Sequence, residues 1–172
     1  LVATLADGRV VRGETAIAPA RGRVARLELE RPVAATREAI EAIADADLVT
    51  LGPGSLYTSV IASVLADGMA EALAACRGRR VLVVNLFTQP GETDGYDAAD
   101  HVRAVQEHVG PVVDVALVHR GPPPPAMVSA YAAGGARPVR YDRGELAALG
   151  VATYATDLLA PWDKARHDSL RT

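Results

Sequence analysis

Residues 85–101, NLFTQPGETDGYDAADH, crowd Asn85, Thr88, Gln89, Glu92, Thr93, Asp94, Tyr96, Asp97 and Asp100 onto one strand-to-helix connection. An ordinary connection of this kind needs about 2–6 residues, mostly turn formers and a cap. Asn85 ends an apolar run, where an amide without a partner is costly. It is expected to bond the loop, or a ligand seated on the loop. Pro90-Gly91 and Asp94-Gly95 are turn signals. Asp97 followed by Asp100 resembles a capping box with Asp in place of Glu. A turn has no need of Glu92 and Thr93, which makes them the stronger candidates for touching a ligand.

A second stretch, LGPGSLYTS at residues 51–59, follows DADLV and opens a run of helix formers. Gly52 and Gly54 accept positive φ and let a ligand approach the backbone. Pro53 stiffens the turn. The N–H groups of Gly54, Ser55 and Leu56 have no partner within a helix that starts here. Ser55 can cap that helix or give its hydroxyl to a phosphate. A phosphate at this point would meet free donors and the positive end of the helix dipole. The same residues also describe a capped turn with no ligand, and G-P-G-S is neither the P-loop nor the dinucleotide fingerprint. Spacing alone leaves both readings open. Tyr57 and Thr58 fall on the first turn, in position either to meet a ligand or to pack.

The histidines are weaker candidates. Asp97, His101 and His108 lie on one flank of a helix whose apolar stripe is Ala98, Val102, Val105 and Val109. No second segment offers them a partner ligand, so a cap or an interface is the preferred role and no metal site is expected. His119 ends a strand near the same edge and is ambiguous in the same way.

The elements that must position these loops alternate. LVATLADGRVVRGET carries a hairpin signal at Asp7-Gly8, and GRVARLELE alternates imperfectly as a half-exposed strand. A helix is expected from Pro32 through VAATREAIEAIADA. Strands are expected at 47–51, 80–86, 112–118, 138–141 and 151–154. Helices are expected at 56–76, with a break near Asp67-Gly68, and at 97–109, 126–133 and near Leu146. RVLVVNL reads as a strand buried on both faces. Strands alternating with helices predict a parallel sheet sandwiched by helices, with ligands outside the carboxyl ends of the strands.

The 172 residues suit one α/β domain with a proper core. A net charge of −3 argues against nucleic acid as a partner. No apolar run approaches the roughly 20 residues of a membrane span. Cys76 is the single cysteine, so an internal disulfide is ruled out and a reducing, cytoplasmic setting is expected. The Ala/Val-rich composition permits helix-packed homo-oligomers.

The two loops together, ADLVTLGPGSLYTSVI and VNLFTQPGETDGYDAADHV, resemble the YvcK-like gluconeogenesis-factor proteins, which share a fold with CofD, the 2-phospho-L-lactate transferase. LADGRVVRGET, YAAGGARPVRYD and DLLAPWDKARHDSLRT are similar to further stretches of that family, so the resemblance covers nearly the whole chain. It implies a Rossmann-like three-layer α/β/α fold with a mostly parallel sheet and an N-terminal hairpin. Residues 1–172 would form one α/β domain, the carboxyl-terminal part of a larger one, since the family's opening strand and Gly-rich nucleotide loop do not occur here. The family is bacterial and cytoplasmic, binds UDP-activated sugars such as UDP-N-acetylglucosamine, and influences cell shape, wall synthesis and growth on gluconeogenic carbon. No reaction is securely assigned to it. Ala62-Ser63-Val64-Leu65 departs from the family's Pro-Asn-Leu-Leu, a change expected to alter helix packing.

Carried over residue by residue, the resemblance makes Gly52, Gly54, Ser55 and Thr58 one edge of a ligand cleft. Asn85, Thr88, Gln89, Gly91, Glu92 and Thr93 form the other. It adds Tyr131, whose ring can stack on uracil, and Arg166, whose guanidinium can clamp a diphosphate. For Tyr131 the alternative is packing on Pro138, and for Arg166 a solvated charge. Ser169, among Arg166, His167 and Arg171, is a candidate phosphorylation site. The leading expectation is a nucleotide-sugar-binding regulator that needs no cofactor. The alternative is a CofD-type transferase in which Glu92 or Asp94 holds Mg²⁺ against a diphosphate. A purely structural assembly module is the third reading.

Overall fold

The computed structural model describes residues 1–160 and 167. A small antiparallel sheet comes first: β1 (Val2–Leu5), β2 (Val10–Arg12) and β3 (Val24–Glu28), in spatial order β2-β1-β3. The Asp7-Gly8 turn closes the β1–β2 hairpin, with Gly8 at φ +86 and its N–H donating to the Leu5 carbonyl at 2.9 Å. A bulge between Thr4 and Leu5 lets Leu5 oppose Val24 while Thr4 opposes Arg26. That extra residue puts Val24 and Leu27, three apart, on the same buried face and explains the imperfect alternation. Between β2 and β3 the chain is helical, α1 (Glu14–Ile17) and a 3₁₀ turn (Ala18–Ala20).

Next comes α2 (Arg37–Ala44), which starts five residues later than expected because Thr36, accepting from the Ala39 N–H, is its N-cap. Then β4 (Leu48–Leu51), α3 (Met69–Ala75), β5 (Arg79–Val83), α4 (Ala98–Val109), β6 (Val115–His119), α5 (Pro125–Ala132), α6 (Arg143–Ala148) and β7 (Ala152–Thr156) follow. The strands β4-β5-β6-β7 form one parallel sheet flanked by helices. The predicted α/β architecture with an N-terminal hairpin is the one observed.

Residues 56–76 are not one helix. Leu56–Ile61 form a π-helical turn, in which the Val60 N–H reaches the Ser55 carbonyl at 2.9 Å. Gly68, at φ +92, restarts the chain as α3. The expected strand at 138–141 reduces to a single bridge between Phe87 and Pro138. A proline has no N–H to extend a ladder.

The main core lies on one side of the parallel sheet. Leu51, Leu82, Ala116 and Val118 pack there against the π turn, α3, α4 and α6. A smaller cluster, built on Val83, Leu86, Phe87, Leu117 and Met127, lies on the other side beneath α5.

Candidate functional site

The two loops leave adjacent strands, β4 and β5, at their carboxyl ends, so they are neighbours by topology. Side chains join them. The Asn85 amide donates to the Gly54 carbonyl at 2.9 Å, and the Gln89 amide donates to the Ser55 hydroxyl at 2.8 Å. Thr58 Oγ1 donates to Glu92 Oε1 at 3.2 Å. Asn85 thus finds its partner in the first loop. Ser55 does not cap the helix; its side chain is spent on the second loop. Gly52 sits at φ +90 with a Cβ-sized space only 3.3 Å from the Val83 carbonyl, which is why the loop can cross the end of β5.

Within the second loop most polar groups hold the loop itself. The Thr93 hydroxyl, wholly buried, accepts from the Gln89 N–H at 2.8 Å. Asp94 accepts from the Gly91 N–H at 2.6 Å. Thr88 accepts from the Arg137 N–H at 2.9 Å and donates its own N–H to the Arg137 carbonyl at 2.7 Å. Asp97 and Asp100 form the expected capping box at the head of α4.

Glu92 is buried, and its carboxyl lies where the π turn begins. Burial pushes its pKa up, and the Thr58 hydroxyl with the backbone amides of Thr58 and Tyr57 pulls the other way; burial wins. The anion place at the head of this turn is therefore taken by a carboxylate of the chain, which the sequence reading had left open for a ligand. Glu92 Oε2 and Gln89 Oε1 are buried without a hydrogen-bond partner.

Two adjoining hollows open here. One, of about 430 Å³, is lined by Gly54, Ser55, Asn85, Gln89, Tyr131 and His167 among others. The other, of about 660 Å³ and more apolar, is lined by Ala18, Pro90, Glu92, Ala130, Tyr131 and Ala136 among others. Thr88, Gln89 and Tyr131 border both. Gly52, Thr58, Gly91 and Thr93 line neither and support the residues that do. Tyr131 stacks on Phe87 at a centroid distance of 4.5 Å and 28° between planes. Phe87 was missed as a wall of the site because its only cue, an aromatic after an apolar strand, reads as core. Arg166 and Ser169 lie outside the described residues.

His101, His108 and His119 are held by backbone hydrogen bonds. His108 Nε2 accepts from the Leu27 N–H at 2.9 Å, so its Nδ1 carries the proton and donates to the Ala104 carbonyl at 2.6 Å. His101 is buried with Nδ1 2.6 Å from the Asp97 carbonyl, and burial lowers its pKa. His119 Nδ1 accepts from the Leu158 N–H at 3.1 Å. Among the described residues no group of His, Cys, Asp or Glu side chains converges as a metal would require. Glu92 and Asp94, the two carboxylates a magnesium reading calls on, face Thr58 and the Gly91 amide respectively, and do not fit that ion as a pair.

A parallel sheet with two interlocked βα loops at its carboxyl edge defines a Rossmann-like α/β protein. The chain belongs to the CofD family: residues 1–159 match the family described as 2-phospho-L-lactate transferase CofD. It is 40% identical over 166 residues to the gluconeogenesis factor of Halalkalibacterium halodurans, covering 95% of this chain and 52% of that protein. It is 37% identical over 178 residues to the gluconeogenesis factor of Bacillus subtilis, covering 98% and 54%. A crystal structure of a UPF0052-family protein from Bacillus halodurans superposes with a TM-score of 0.95 at 38% identity, over 99% of this chain and 56% of that one. The chain spans about half the length of the curated relatives it matches. No helix among the described residues is long and apolar enough to cross a membrane.

Proposed function

We propose that this chain supplies one wall of a cytoplasmic gluconeogenesis-factor-type regulator that binds a UDP-activated sugar, of the UDP-N-acetylglucosamine kind. Binding rather than turnover would then act on cell shape, wall synthesis and carbon use. One observation carries the reading: Gly54, Ser55, Asn85 and Gln89 from two βα loops share a hollow with the Tyr131 ring. Ser55 Oγ accepts from Gln89, which leaves the Ser55 hydroxyl proton to be donated to a ligand oxygen. The Tyr131 ring, already backed by Phe87, offers a rigid face to a base or a sugar. Isothermal titration calorimetry of the folded full-length protein with UDP-N-acetylglucosamine at up to millimolar concentration tests it. Saturating heat is expected, and its absence refutes the reading.

The family match favours a second reading, a transferase using a nucleoside-diphosphate-activated donor. Turnover assays with such donors, with and without Mg²⁺, separate the two. Product that Glu92→Gln abolishes would establish the transferase in place of the regulator.

A further inference from the structure

The larger of the two hollows differs in chemistry from its neighbour. Its walls carry Ala18 from the 3₁₀ turn, Pro90 from the second loop, Ala130 and Tyr131 from α5, and Ala136 just beyond that helix. Small side chains on three separate segments keep it open at about 660 Å³. None of its described lining residues is Lys, Arg or His, so a phosphate placed there would meet no cation. The smaller hollow, with the Gly54-Ser55 turn, the Ser55 hydroxyl and His167 on its wall, suits the anionic part of a ligand better.

Acceptors are left over where the two hollows meet. Gln89 borders both, and Glu92 lines the larger. The Gln89 amide gives its N–H to Ser55, and Glu92 Oε1 takes the Thr58 hydroxyl. Gln89 Oε1 and Glu92 Oε2 remain, both buried and both without a hydrogen-bond partner. A buried acceptor with no donor is destabilising. The group that suits this place is therefore apolar, carries an N–H or O–H donor and bears no negative charge.

We propose, resting on the nucleotide-sugar reading above, that the larger hollow is an acyl-amide subsite that selects an N-acylated amino sugar over a plain one. The amide N–H donates to one of the two bare oxygens, and the acyl methyl lies among Ala18, Pro90 and Ala130. A free hydroxyl at the same sugar carbon brings a donor but leaves the alanine wall unfilled. Tyr131 borders both hollows, so one ligand can hold its diphosphate in the smaller and its acylamino group in the larger.

Calorimetric titration of the folded full-length protein with UDP, UDP-glucose and UDP-N-acetylglucosamine tests this. The parent is expected to bind UDP-N-acetylglucosamine about tenfold more tightly than UDP-glucose. Ala130→Leu adds bulk to the wall at an exposed position of α5 and keeps a strong helix former there. It is expected to bring the ratio of the two affinities down to about one. Gly134→Ala narrows the same hollow should α5 suffer, since its new Cβ meets only the Tyr131 carbonyl, at 3.5 Å. Equal affinities for the two sugars in the parent overturn the subsite and leave the nucleotide-sugar reading standing. So does a preference that both substitutions leave intact. No heat with any of the three ligands overturns both.

Discussion

Glu92, on the loop after β5, accepts the Thr58 hydroxyl at 3.2 Å and so puts its carboxyl at the head of the π turn that follows β4. The pair ties together two loops 34 residues apart, and it does so with a charge that water would solvate better. Burial raises the Glu92 pKa in the folded state. A carboxyl raised on folding contributes stability that is fully present below its unfolded pKa. That stability is lost as pH rises through the folded value. Glu92→Gln removes this loss while keeping an acceptor for Thr58. Its stability relative to the parent is expected to rise as pH goes from 4 to 8, read by urea unfolding at several pH values. Thr58→Val, which takes the hydroxyl donor away and leaves the carboxyl the backbone amides of Thr58 and Tyr57, is expected to cost about 1 kcal/mol near neutral pH.

The stack of Tyr131 on Phe87 makes a different prediction, for affinity. Tyr131→Phe keeps the face and is expected to bind UDP-N-acetylglucosamine as the parent does. Tyr131→Ala removes it and is expected to weaken binding about tenfold, or about 1.4 kcal/mol. Calorimetry reads both. Circular dichroism checks that α5 survives the truncation.

Gly91 and Gly95 separate backbone strain from contact. Both have positive φ, +88 and +77. A Cβ on Gly95 meets open space, so Gly95→Ala is expected to cost about 1–2 kcal/mol of strain. A Cβ on Gly91 overlaps the Ala18 carbonyl, so Gly91→Ala must also push the 3₁₀ turn away. It is expected to cost at least about 2 kcal/mol more than Gly95→Ala, by thermal or urea unfolding.

What the sequence makes legible is what short separations decide. The Asp97–Asp100 box, the Asp7-Gly8 turn and the apolar runs of β5 and β6 depend on neighbours within four residues, and all stand in the structure. The rest depends on partners far along the chain. Thr58 meets Glu92, Ser55 meets Gln89, and Phe87 meets Tyr131 across 44 positions. Glu92 looked available because a turn does not need it. The π turn's amides need it, and those lie on another loop. The strand expected at 138–141 had the right residue types but stands beside Phe87 for a single bridge. Both loops were legible as a polar edge, whereas which groups face outward was not.

Arg80 and Asp114 provide the last prediction, because their pair joins three elements. Arg80 donates from its backbone N–H and its Nε to Asp114 Oδ2, each at 2.9 Å, and from Nη2 to Oδ1 at 2.6 Å. Its remaining terminal nitrogen, Nη1, donates to the Leu73 carbonyl at the end of α3 at 2.9 Å. Asp114 lies just before β6, so one fork ties β5 to β6 and to α3. The Arg80 side-chain hydrogen bond holds the Asp114 pKa below its usual value, with burial opposing it. A carboxyl lowered on folding contributes stability that is present above its unfolded pKa, near 3.8, and is lost as pH falls through the folded value. Both side chains keep some solvent exposure, 16% and 23%, which trims the electrostatic share. Asp114→Asn is therefore expected to cost about 1–2 kcal/mol near pH 7. The difference from the parent should shrink as pH drops below the folded pKa, where the parent's own carboxyl is protonated. A cost that stays constant from pH 7 to pH 2 would show that Asp114 acts through shape and neutral hydrogen bonds alone.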